Sequence, residues 1–326
     1  MNCKKIKNAL LIIIALIMCI SFTGCTNTTT LNKKDGNIIN IVTTNFPCYD
    51  FARAIVGQNE NVRINMLLKP GMDSHSYDPT PSDVILIQNC DMFIHVGGHS
   101  DTWVEKILSS FDSSNISIVK MSDYVTMIPV KNDEHEEHEH DENCNHEHGD
   151  IEYDEHVWTS PKNSIRIMEG FLEEIIKLDL ENKEMYEKNA KAYIEEIKKL
   201  DESFKEVVSN SRLKEVIFAD RFPIIYFTNE YGLDYHAAFP SCSSKSEVSA
   251  QMLAFLINEI KESDIKYVFH LEMSNEKVAS VLSEEVNVKS LLFHAAHNVS
   301  KEELENGETY VSLMSGNVER LKKALE

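Results

Sequence analysis

At 326 residues with 42% hydrophobic content, the chain has enough apolar material for more than one core, so two domains are expected. The formal charge of −21 excludes a surface built to neutralise nucleic-acid phosphates, which needs clustered Lys and Arg, and suits a cationic ligand instead. None of the seven cysteines forms a CxxC pair.

In chain order, Lys4, Lys5 and Lys7 precede an apolar run from Ala9 to Phe22 and then Thr23-Gly24-Cys25. That run is short of the roughly 20 residues a membrane-spanning helix needs. A secretory signal over 1–24, cleaved before a lipidated Cys25, is expected. Losing three lysines takes the mature charge to about −24. The protein is then expected on the extracytoplasmic face of the cell membrane, held by acyl chains at Cys25, with residues 25–37 as a tether.

Next, Ile38–Thr44 reads as a strand, Phe46–Val56 as a helix closed by Gly57, and Val62–Leu68 as a strand. A Pro- and Gly-rich loop holding His75 follows, until Pro81 opens a helix with Thr80 as its cap. Asp91–Val96 and Ile116–Lys120 are expected strands on either side of a helix at Thr102–Phe111. Such alternation predicts a parallel sheet covered on both faces. Cys48 and Cys90 sit in apolar surroundings and read as buried free thiols.

Residues 131–155 interrupt this pattern. Asp133–Glu155 reads DEHEEHEHDENCNHEHGDIEYDE, with no period that would bury a face, and predicts a solvated loop. His135, His138, His140, Cys144, His146 and His148 interleaved with carboxylates mark it as metal-sensitive.

Beyond it, Ser160 and Pro161 cap and open a helix to about Leu178. Glu181–Asn210 follows with apolar Tyr186, Ala190, Tyr193, Ile197, Leu200, Phe204 and Val207 at alternating steps of four and three, a rod of about 45 Å. Alternation then resumes. Strands are expected at Glu215–Ala219, Leu233–Phe239, Tyr267–His270 and Lys289–Phe293; helices are expected at Phe222–Tyr231, Ser246–Glu262, Asn275–Glu285 and Thr309–Leu325. The expected class is α/β, with two Rossmann-like lobes joined by a long rigid helix. The lobes take residues 38–180 and 211–326, and the helix 181–210.

Open α/β sheets bind ligands beyond the carboxyl ends of their strands. His75 follows one strand by a short loop, Asp220 and His294 follow theirs immediately, and His156 lies just ahead of a helix.

The runs GMDSHSYDPTPSD, HVWTSP after a His-rich acidic loop, NAKAYIEEIKKLD in the long helix, and the closing GETYVSLMSGNVERL resemble the metal-binding solute receptors of zinc and manganese ABC transporters. The resemblance implies one metal ion held in a cleft between the lobes and handed to a membrane permease. It implies His75 and His156 as the first two ligands. Asp220 stands where zinc receptors carry His and manganese receptors Glu, and His294 stands where an Asp is usual. Three imidazoles and one carboxylate suit tetrahedral zinc, whereas manganese prefers more oxygen donors. The expected set is therefore His75, His156, Asp220 and His294 around Zn(II), with His297 as rival for the fourth place and Glu272 orienting a ligand without touching metal. Mn(II) is the alternative cargo.

Cys242 lies in a loop near the expected cleft mouth as a possible soft donor, and His236 and His270 read as core or surface residues within strands. A zinc hydrolase is not expected: HExxH is absent, His135-Glu136-Glu137-His138 having the wrong interval, and four protein ligands leave no open position. A lipoprotein adhesin has no motif of its own here. The protein is expected to be a monomer, and the His-rich tract to collect metal for the cleft. With a nanomolar cleft and a micromolar tract, the gradient is roughly 4 kcal/mol.

Overall fold

The structure is a computed structural model and describes residues 38–130, 152–240 and 247–326. The signal, Cys25, the His-rich cluster from His135 to His148, Cys144 and Cys242 lie outside the described residues.

The first sheet is built from β1 (Ile39–Thr43), β2 (Val62–Met66), β3 (Met92–His95) and β4 (Ser117–Lys120), all parallel, in the order β2-β1-β3-β4. Helices α1 (Phe46–Val56), α2 (Pro81–Gln88) and α3 (Trp103–Leu108) connect them. Local chemistry fixes their ends. Asn45 Oδ1 accepts the Cys48 N–H at 3.3 Å to start α1, and Gly57 ends it at φ 62°, a left-handed conformation glycine tolerates. Thr80 and Asp83 form a reciprocal capping box ahead of α2, with Pro81 at its first position.

After α4 (Pro161–Leu178) and α5 (Lys183–Asn210), the second sheet repeats the design: β5 (Glu215–Phe218), β6 (Asp234–Ala237), β7 (Tyr267–Leu271) and β8 (Lys289–Phe293), parallel, in the order β6-β5-β7-β8. Its helices are α6 (Ile225–Tyr231), α7 (Ala250–Glu262), α8 (Lys277–Val286), α9 (Lys301–Glu305) and α10 (Tyr310–Leu325). In each sheet the strand order reverses between two central strands, β1/β3 and β5/β7. Those reversals open crevices at the strands' carboxyl ends.

The 28 residues of α5 span about 42 Å. They bury Tyr186, Ala190, Tyr193, Ile197, Leu200 and Phe204 as expected, with Val208 rather than Val207 completing the stripe. One core runs from Ile41, Phe51 and Met92 of the first half through the α5 stripe to Phe218, Phe269 and Phe293 of the second. Helix α10 reaches back to the first half: the Tyr310 ring packs edge-on against Phe51 at 5.2 Å, and its hydroxyl donates to Trp158 O at 2.9 Å. Buried Asp50 accepts the Tyr310 N–H at 2.8 Å and the Tyr193 hydroxyl, and pairs with Arg53 at 2.7 Å. Packing across this seam ties the two sheets to one shared core.

Most differences from the expected bounds have local causes. Phe222 does not open α6, because Pro223 disfavours helical backbone in the residue before it. Helix α7 starts at Ala250, where Ser249 Oγ accepts the Met252 N–H at 3.1 Å. Helix α9 was not foreseen, although Ser300 and Glu303 form a capping box. Cys48 and Cys90 are both buried, as expected, and Cys48 is a free thiol. Among the described residues no helix is long and apolar enough to cross a membrane.

Candidate metal centre

Four segments converge beyond the carboxyl ends of the strands. The loop after β2 carries His75 in a single helical turn, Ser74–Ser76, in which Asp73 Oδ1 accepts the His75 N–H at 3.1 Å. The loop after β3 carries Ser100. The segment before α4 carries Asp154, Glu155 and His156, all buried. The loop after β8 carries His297.

One donor atom from each of His75, Glu155, His156 and His297 lies within 4.8 Å of the others. The three imidazoles form a closed triangle, with ring centres 5.6 Å apart for His75 and His156, 5.0 Å for His75 and His297, and 4.9 Å for His156 and His297. Trp158 forms a wall behind them, 5.4 Å from the His156 ring, and its Nε1–H donates to Ala295 O at 2.8 Å.

Carboxylates orient two of these rings. His156 Nδ1 is 3.0 Å from Asp154 Oδ1, which also accepts the His156 N–H at 2.9 Å. His75 Nδ1 is 2.9 Å from Ser100 Oγ, which donates to Glu155 Oε1, while Glu155 Oε2 accepts the Ser100 N–H at 2.8 Å. With Nδ1 carrying the proton in both rings, each Nε2 keeps a lone pair for a cation. The close approach of Glu155 requires Gly98, where a Cβ would collide with the Glu155 side chain. Although Glu155 belongs to the group, both its oxygens are engaged by Ser100, on the Nδ1 side of His75.

Burial and the neighbouring His156 push the His75 pKa down to about 4. Burial, with His156 and His75 beside it, holds His297 well below the ordinary histidine value. At neutral pH these two rings are therefore neutral, so a metal ion need not displace their protons.

The loops carrying His75 and His297 are also stitched to each other. Asn298 Nδ2 donates to Lys69 O (2.8 Å) and Met72 O (2.7 Å), the Gly71 N–H donates to Val299 O (2.9 Å), and Ser74 Oγ lies 2.6 Å from His297 Nε2. Glu272 pins the second loop by accepting the Ala295 N–H at 2.8 Å and the His297 N–H at 3.0 Å. It thus holds the backbone of the loop that carries His297.

His294 departs from expectation. It is buried beside Glu272 and Glu303 and outside the imidazole triangle. Asn317 clamps its backbone on both sides, accepting the N–H at 2.9 Å and donating to the carbonyl at 2.9 Å. The Ala296 N–H at Nδ1 (2.9 Å) fixes the neutral ring as the Nε2–H tautomer, with Nε2 3.5 Å from Glu303 Oε1. Burial opposes charge on this ring, yet Glu272 and Glu303 outweigh it and raise the His294 pKa. The chain then turns at Ala296, φ 56°, and presents His297 instead. The geometry thus brings His297, and not His294, into the imidazole group.

Asp220 follows β5 as expected, accepting the Arg221 N–H (2.8 Å) and the Leu271 N–H (3.2 Å). It is outside the tight group but lines the same pocket of about 280 Å³ as His75 and His297. Arg221 shares that wall and pairs with Asp73 at 3.2 Å. Ser100, Asp154 and Glu155 were not foreseen; the acids immediately before His156 were their one signal in the sequence.

Residues 41–324 match the family described as "ZnuA: Zinc-uptake complex component A periplasmic". The zinc-binding lipoprotein AdcA of Streptococcus pneumoniae is 30% identical over 323 residues, 99% of this chain, which spans 61% of that longer relative. The high-affinity zinc uptake system protein ZnuA of Bacillus subtilis is 31% identical over 304 residues, 93% of each chain. The Zn(II)-bound ZnuA-like domain of S. pneumoniae AdcA superimposes with a TM-score of 0.72 at 28% identity, covering 88% of this chain and 99% of that one. The two-sheet α/β architecture with its long connecting helix is thus that of ZnuA-type solute-binding proteins, and the chain belongs to the ZnuA family.

Proposed function

We propose that the protein is an extracytoplasmic receptor, lipid-anchored at Cys25, that captures Zn(II) and delivers it to an ABC permease. In this reading His75, His156 and His297 bind the ion, and Asp220 supplies an oxygen donor from the pocket wall. The supporting observation is the triangle of three imidazoles drawn from loops of both sheets, two of them with depressed pKa values. The donor chemistry is the one expected from sequence, three nitrogens and one carboxylate, with His297 in place of His294. That nitrogen-rich set favours zinc over manganese. The family is one of uptake components, and a closed four-ligand site binds without hydrolysing.

The His-rich tract is read as a collector. Its flanks pair in antiparallel fashion through Val130 N to Glu152 O (2.8 Å) and Asp154 N to Ile128 O (2.9 Å), which places its C-terminal flank, Glu152, four residues ahead of His156. Metal caught there would be released beside the cleft.

Deleting the gene is expected to slow growth in zinc-chelated medium and to abolish high-affinity ⁶⁵Zn uptake. Zinc or the wild-type gene should restore growth, and manganese should not. Rescue by manganese alone would refute the zinc assignment.

A further inference from the structure

Outside the cleft, one other group of imidazole and carboxylate donors converges among the described residues: Glu215, His236 and Glu259, with one donor atom of each within 4.8 Å of the others. They come from three elements. Glu215 heads β5, His236 lies on the neighbouring edge strand β6, and Glu259 reaches down from the third turn of α7. The register pairs Glu215 with Asp234 and Ile217 with His236, placing His236 two positions diagonally from Glu215 on one sheet face.

His236 Nε2 is 3.1 Å from Glu215 Oε1 and 3.7 Å from Glu259 Oε2. Tetrahedral zinc with bonds of about 2.0–2.1 Å sets its donors about 3.4 Å apart. The two observed distances bracket that edge, and the third, between the two carboxylates, is within 4.8 Å. The donors are also held from behind. Ser263 Oγ donates to Glu215 Oε2 at 3.0 Å, turning Oε1 toward the imidazole, and Phe255 packs edge-on against the His236 ring at 4.9 Å. All three side chains are about two-thirds covered or more.

Charge points the same way. Among the described residues neither carboxylate has a Lys or Arg ion-pair partner; His236 is the only ion-pair partner of each. A protonated imidazole would balance one carboxylate, whereas a divalent ion balances both. An imidazole nitrogen selects a borderline cation such as Zn(II) over Mg(II) or Ca(II), which take oxygen donors. We infer that Glu215, His236 and Glu259 form a second zinc site on the outer face of the second sheet. It is weaker than the cleft, having three protein ligands and a fourth position open to water. Glu215 lies about 16 Å along β5 from Asp220, at the opposite end of the strand, so the two sites fill independently.

Two measurements on the full mature chain test this, with Zn(II) alone as probe. In equilibrium dialysis above saturation of the cleft, Glu215→Gln/Glu259→Gln and, separately, His236→Gln are expected to bind one zinc fewer than the unaltered protein while keeping the tight site. Crystals of the unaltered protein soaked in zinc should show an anomalous peak at the zinc edge beside His236 Nε2, independent of how the variants fold. Equal stoichiometry in folded variants, or a map without that peak, overturns the site.

Discussion

His297→Ala is expected to raise the zinc dissociation constant by roughly 10³-fold, about 4 kcal/mol, whereas His294→Ala is expected to change it by less than about tenfold. The two residues are three positions apart in one loop, so the contrast isolates orientation from proximity in sequence. His297 closes the triangle with His75 and His156. His294 is packed against Glu272 and Glu303 and contributes to the fold. Its removal is expected to cost about 1–3 kcal/mol of stability, since Glu303 and the Ala296 N–H lose their partner. Competition titration against a chelator of known affinity, with thermal melts of the metal-free proteins, separates the two effects. Loss of tight binding in His294→Ala with full affinity in His297→Ala would reverse the assignment.

The second large effect is on pH. His75 in the folded, metal-free protein titrates near 4, and His297 is depressed as well, while both return to the ordinary value near 6.5 on unfolding. Between those values the unfolded chain binds more protons, so these rings make stability rise with pH and fall as pH drops from about 6.5 toward 4. Glu303 adds to the acid loss at the lower end: its contact with His294 holds its carboxyl at about 2, a contribution lost as pH falls through the ordinary carboxylate range toward that value. His294 runs oppositely. Its raised pKa stabilises the fold below about 6.5 and is lost as pH climbs through the raised value. Metal-free melting temperatures are therefore expected to fall from pH 6.5 to 4, with a shallower slope in His75→Asn and His297→Asn. An unchanged slope in both variants would show that these imidazoles are not the acid-sensitive groups.

Much of the framework was legible because the signals were local. The α5 stripe without Pro or Gly, Thr80-Pro81 and Ser160-Pro161 as helix starts, and short apolar strands alternating with helices all act within a few residues. His75 and His156 were legible for the same reason, each sitting close to a strand or helix terminus. The third imidazole was not. Direct succession to β8 favoured His294, but its direction is set by Asn317 from α10, Glu272 after β7 and the left-handed turn at Ala296. The contacts with Asn317 and Glu272 each reach across 23 residues of sequence. The support of His75 by Ser100 and Glu155 likewise joins two loops 55 residues apart, and it depends on the missing side chain of Gly98.

The most direct test of a single tight site in the cleft is a zinc titration of the mature protein lacking Asp133 to Asp150, with bound metal counted per molecule. One tight zinc should remain, abolished by His156→Ala. Loss of the tight site on removing the tract, with His156→Ala having no effect in the intact chain, would place the receptor's zinc in the tract and contradict the assignment.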